Sequence, residues 1–178
     1  MHGRTVKKAV AAVESPGLLT AGAHFLNIGL SCSEVDALKK VEGWLWACAP
    51  VLSMIQTIRL LVQVTLAHYD IVHSFFLKAQ EQPGRELPSQ WFSVRFTEVE
   101  IEALNRVNRG MRSSSLAGTA RLLVTTALDN YSLLTAPMKR DVRYIDLERF
   151  DCASAYFEGI IKSRFARGKW PLAKAGAG

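Results

Sequence analysis

The sequence predicts a mainly α-helical chain with one short β-ribbon strand. A strand-helix-helix unit sits between helical flanks and is completed by dimerisation. Three observations predict it. Residues Trp91 to Phe96 alternate large apolar with small or charged side chains. An acid-rich helical pattern follows directly, and a Gly/Ser break from Gly110 to Ser115 separates it from a second helical pattern that reaches Tyr131. One strand and two helices cannot bury their own apolar faces, so the unit, residues 89–132, calls for a partner strand from a second copy.

Within the strand, alternate side chains face opposite sides. Phe92, Val94 and Phe96 form an apolar inner face, and Trp91, Ser93 and Arg95 form an outer one. Thr97-Glu98-Val99-Glu100 reads as a capping box, with Thr97 as cap and Glu100 reaching back to it. The helix it opens points Ile101, Leu104, Val107 and Met111 inward and carries Arg106 and Arg109 at its end, as the helix dipole prefers. Gly110 permits the turn. Ser113, Ser114 and Ser115 offer caps for the second helix, whose stripe runs through Leu116, Ala120, Leu123, Val124, Ala127, Leu128 and Tyr131.

The flanks follow from the same rules. Residues 1–17 form a basic arm closed by Ser15-Pro16-Gly17. Residues 18–82 form a helical N-terminal segment. In it, Leu18 to Leu30 reads as an apolar helix, and Ser33 caps a helix that ends near Pro50. Val51 to Ala79 is apolar on all sides and long enough to cross a bilayer. Arg59 and Asp70 make that costly, so it reads as one long buried helix and not a membrane span. Gln80 to Gln90, with Pro83-Gly84 and Pro88, reads as a linker. Thr135-Ala136-Pro137 marks a further break, and Asp141 to Leu147 suits a short strand or a helix entry. An amphipathic C-terminal helix lies within residues 138–168, carried by Leu147, Phe150, Ser154, Phe157, Ile161 and Phe165. Residues 169–178 form a disordered tail. No internal repeat is evident.

The 178 residues are 49% apolar and 21% charged, with a net charge of +6. That is a globular balance with room for a sizeable core and a preference for anionic partners. The positive excess sits from Met138 onward. Cys32, Cys48 and Cys152 are odd in number and widely spaced, which suits free, buried thiols in a reducing, cytoplasmic setting. No phosphate-binding loop, dinucleotide turn, zinc-helix motif or nucleophile elbow is present. His68 and His73 stand five apart, off the spacing of helical metal ligands. The expectation is therefore no catalysis, no metal and no cofactor.

The order of strand, capping box, helix, break and Ser-capped helix, with Phe92-Ser93-Val94-Arg95-Phe96 at its head, resembles the ribbon-helix-helix family of DNA-binding proteins, the Arc and MetJ type. In size and layout the chain is also similar to the AcaB-like conjugation regulators of plasmids and integrative elements. The resemblance implies a homodimeric transcriptional regulator whose antiparallel ribbon enters the major groove of double-stranded DNA. It implies that Trp91, Ser93 and Arg95 face the bases and that Arg112, Ser113, Ser114 and Ser115 hold phosphate. The competing expectation is a helical protein–protein interaction module, scaffold or antitoxin-like, which uses Val51 to Ala79 as its groove and binds no DNA.

Overall fold

A computed structural model describes residues 24–48, 52–82, 84–111, 115–142 and 150–166. The expectations for residues 1–17, for Arg112, Ser113 and Ser114, for residues 143–147 and for the tail 169–178 lie outside the described residues.

The elements run β1 (His24–Leu30), α1 (Cys32–Cys48), α2 (Met54–Ala67), α3 (Tyr69–Glu81), β2 (Gln90–Phe96), α4 (Glu98–Arg109), α5 (Leu116–Asp129), α6 (Tyr131–Val142) and α7 (Phe150–Ala166). The fold is mainly helical, with one antiparallel two-stranded sheet. β2 pairs with β1 of the same chain, in a register that places Asn27 opposite Ser93 at the middle of both strands. This corrects two expectations at once. Residues 24–30 form a strand, not a helix, and the ribbon closes without a second copy. His24, Leu26, Ile28 and Leu30 alternate with Phe25, Asn27 and Gly29, a period of two that a short apolar run shares with buried helices.

The register exposes a repeat that the sequence reading missed. Strand β1 leads into Ser31, whose hydroxyl accepts from the Glu34 N–H (3.3 Å) while its own N–H donates to Glu34 Oε2 (2.7 Å). Strand β2 leads into Thr97, which makes the same reciprocal pair with Glu100. Ser31, and not Ser33, therefore caps α1. In the next helices Thr57, Arg59, Leu60, Leu61 and Val62 recur as Thr119, Arg121, Leu122, Leu123 and Val124. Ser53 caps α2 as Ser115 caps α5. Both helices end on a residue of matching backbone, His68 (φ −116°, ψ 35°) and Asn130 (φ −117°, ψ 30°), before α3 opens at Tyr69 and α6 at Tyr131. The described residues thus form two β-α-α-α units in tandem, followed by α7.

Packing is reciprocal. α2 of the first unit lies on β2 and α5 of the second lies on β1, while α2 and α5 pack on each other. Residues 57–67 of α2 are buried throughout. Ile28, Leu30, Val94 and Phe96 of the ribbon share a core with Leu60, Leu61, Leu122 and Leu123, and Phe157 and Ile161 of α7 close it. The apolar stretch from Val51 is therefore not one helix: α2 and α3 meet at His68 with a bend of 106°. Among the described residues no single helix is long and apolar enough to cross a membrane.

Three smaller expectations are corrected. α6 continues through Pro137. The proline lacks the amide that would bond to the Leu133 carbonyl, and Leu133 lies at the surface, 42% exposed. Gly110 sits at φ −80°, inside the right-handed region, and needs no glycine freedom. Cys32 is exposed rather than buried. The linker stretch from Gly84 to Ser89 carries no helix or strand and is tied to its neighbours by hydrogen bonds. Arg121 Nη2 donates to the Glu86 carbonyl (2.7 Å), Ser33 Oγ donates to Glu86 Oε2 (2.8 Å), and the Ser89 N–H donates to the Leu30 carbonyl (2.8 Å).

Candidate functional site

The outward face of the ribbon is the candidate site. In an antiparallel pair, residues opposite one another project to the same side. Phe25 with Arg95, Asn27 with Ser93, and Gly29 with Trp91 therefore share the outer face. Phe25 and Trp91 are 67% and 68% exposed, and Asn27, Ser93 and Arg95 are exposed as well. The inner partners Ile28, Val94 and Phe96 are fully buried. Burial on one side fixes the register, because a slip by one residue would turn the apolar set outward.

Trp91, Ser93 and Arg95 thus lie together on the outer face, as their alternation predicts. Ser115 caps α5, its hydroxyl accepting from the Gly118 N–H at 3.0 Å. Sequence reasoning missed Phe25 and Asn27, the contribution of β1 to the same face. The signal that could have found them is the Ser31-Cys32-Ser33-Glu34 capping box, which stands directly after His24–Leu30 as Thr97–Glu100 stands after β2.

Gly29 is the one outer position closed off. A Cβ there would lie 2.7 Å from Pro88 Cβ and 3.0 Å from Cζ3 of Trp91. The indole and the proline ring occupy the space that a side chain at position 29 would need. An aromatic ring laid over a cross-strand glycine covers backbone that would otherwise be bare.

Two crossed clasps hold the ribbon on the helices. The carboxylate of each capping box is gripped by α2 or α5 of the other unit. Arg121 of α5 grips Glu34, with Nη2 on Oε2 at 2.9 Å and Nε on both oxygens at 3.1 and 3.3 Å, and Thr125 Oγ1 donates to Oε1 at 2.8 Å. Arg59 of α2 approaches Glu100 at 3.5 Å, and Gln63 Nε2 donates to it at 2.5 Å. Arg59 and Arg121, like Gln63 and Thr125, are repeat equivalents.

The clasps differ in charge balance. Burial raises the Glu34 pKa, but the Ser31 amide, Arg121 and Thr125 outweigh it and hold the carboxyl below its ordinary value. Glu100 is fully buried, and that burial pushes its pKa up against the opposing pull of Arg59, Gln63 and the Thr97 amide. The loss of water around this carboxylate outweighs the pull of these three partners.

Chemically, the outer face offers hydrogen-bond groups of three kinds. Asn27 carries an amide that donates and accepts, Ser93 a hydroxyl that does either, and Arg95 a guanidinium that only donates. No carboxylate stands among the six outer positions. A groove of about 440 Å³ beside the ribbon, lined by His24, Glu98, Val99, Ile101, Glu102, Asn105 and Lys162, carries two carboxylates and is ill suited to phosphate. Among the described residues no group of His, Cys, Asp and Glu is placed to hold a metal ion. Comparison of the chain with protein-family models, with curated proteins and with solved structures finds no match.

Proposed function

We propose that the chain is a sequence-specific, double-stranded-DNA-binding regulator of the ribbon-helix-helix type, with both strands of the ribbon supplied by one chain. The observation that carries this reading is the two-stranded ribbon itself. Its inner face is locked into the core, and its outer face presents Asn27, Ser93 and Arg95 to solvent. A two-stranded ribbon fits the major groove, where arginine recognises guanine, asparagine recognises adenine, and serine accommodates several bases. The paired helix starts at Ser53 and Ser115, both exposed, suit backbone phosphates, and the net charge of +6 favours a polyanion.

The test is selection of bound duplexes from a random pool, followed by titration of Arg95→Ala on the selected site. The variant is expected to lose about 1–3 kcal/mol on that site and to relax its sequence preference. Wild-type affinity should fall steeply as salt rises, because phosphate contacts release counterions. Equal affinity of wild type and variant for selected and random duplex would refute the reading.

The exposed Phe25 and Trp91 rings favour a second reading, in which a partner protein docks on the same face. The groove first expected for such a partner, Val51 to Ala79, is largely core, since α2 is buried along residues 57–67. Failure to enrich any duplex, together with loss of a co-purifying protein in Trp91→Ala, would favour this reading over the first.

A further inference from the structure

We propose that this ribbon reads a non-palindromic site, with guanine specified at one end only. The proposal rests on the DNA-binding reading and adds to it the symmetry of the target.

A ribbon built from two identical strands presents identical side chains about its centre and so matches a palindrome. Here the local two-fold passes between Asn27 and Ser93, and the repeat makes Phe25 equivalent to Trp91 and Gly29 equivalent to Arg95. Backbone symmetry is kept while the reading groups differ at all three levels. One end of the ribbon carries Phe25 beside Arg95. The other carries Trp91 beside Gly29.

The difference is built in rather than incidental. Arg95 has no counterpart at Gly29, because the Trp91 indole and the Pro88 ring fill the space above that glycine. An arginine can form two hydrogen bonds to a guanine edge, whereas an indole facing the groove offers apolar surface suited to a thymine methyl group. At the centre, Asn27 can pair with an adenine edge and Ser93 cannot do so in two-point fashion. The expected element therefore has guanine under Arg95, adenine under Asn27, and an A·T pair with its methyl group under Trp91. The helical scaffold carries the same asymmetry. α7 packs on α2 and α4, and among the described residues no matching helix covers α5 and α1. With Phe25 and Arg95 at one end of the ribbon and Trp91 and Gly29 at the other, the two ends of a bound duplex meet different side chains, so the chain gives its site a direction.

The experiment is selection from a random duplex pool with wild type, Arg95→Ala and Trp91→Ala, with the mass of each complex measured on the best duplex. Both substituted positions are exposed, and circular dichroism is used to check that each variant folds. Wild type should enrich one non-palindromic element carrying guanine in one arm, with a single chain per ribbon-sized element. Arg95→Ala should lose roughly 5- to 150-fold discrimination at that guanine and leave the other arm unchanged. Trp91→Ala should relax only the opposite arm. A palindromic element, or flattening of both arms by Arg95→Ala, overturns the asymmetry while leaving DNA binding intact. Enrichment of no duplex overturns the underlying DNA-binding reading, and the proposal falls with it.

Discussion

The two crossed clasps make a quantitative prediction, because they are repeat equivalents with opposite electrostatics. Replacing Arg121 by Ala strands the Glu34 carboxylate with the Thr125 hydroxyl and the Ser31 amide. Removing one partner of a buried pair costs about 3–5 kcal/mol. The Arg121 and Glu34 side chains retain 15% and 11% of their exposure, so solvent softens the loss toward about 3 kcal/mol. For a chain of this size that is a fall in Tm of about 6–12 °C. Glu34→Gln removes the charge but not the shape and should cost about 2 kcal/mol. Glu100→Gln should stay within about 1 kcal/mol of wild type at pH 7, since burial already disfavours the charged form. The pH dependences run in opposite directions. The Glu34 pKa is lowered by folding, so its contribution is present above the ordinary carboxylate range and is lost as pH falls through the folded value. The Glu100 pKa is raised, so its contribution is present at acid pH and is lost as pH rises through the folded value. Urea unfolding followed by circular dichroism, from acid to neutral pH, reads all three variants. Equal costs for Glu34→Gln and Glu100→Gln at pH 7, or a loss below about 1 kcal/mol for Arg121→Ala, would refute the reasoning.

Two further outcomes follow from the ribbon. Asn27→Cys with Ser93→Cys, in a background with the native cysteines replaced, should form a disulfide within one chain, since directly opposed residues stand at bridging distance. Non-reducing electrophoresis should show a compact monomer, and a covalent dimer would instead mean that the strands pair between chains. Gly29→Ala should destabilise by about 1–3 kcal/mol, because its Cβ would meet Pro88 at 2.7 Å. Thermal melting checks this, and Pro88→Gly in the same chain should recover part of the loss.

What the sequence made legible was local. The faces of Trp91–Phe96, the Thr97–Glu100 capping box and the Ser115 cap each depend on residues within one or two turns of each other. The first unit carries the same signals in weaker form. Its strand is hidden in the apolar run from Leu18, where periods of two and 3.6 are hard to separate. Its cap, Ser31, stands beside a second serine that fits the same role. The repeat between α2 and α5 is plain once Arg59 and Arg121 are superimposed, but Gln63 against Thr125 and His68 against Asn130 disguise it. The break at His68 has neither glycine nor proline to announce it. The partner of β2 was illegible for a different reason: three helices separate the strands, and no short-range rule chooses between a distant segment and a second copy. For the candidate site, the alternation around Ser93 located half of the face, and the other half waited on the register.

The separation of the two strands also shapes how the protein comes into being. β1 leaves the ribosome before β2, and its hydrogen-bonding edge and the Glu34 carboxylate have no partners until β2 and Arg121 are made. At about 5–20 residues per second, roughly sixty residues of synthesis leave that edge open for about 3–12 s. Open strand edges and half-buried carboxylates invite wrong pairings and chaperone capture. Nascent chains stalled between α3 and β2 should therefore be held by chaperones, and release should coincide with the emergence of α5, when Arg121 can close the clasp on Glu34.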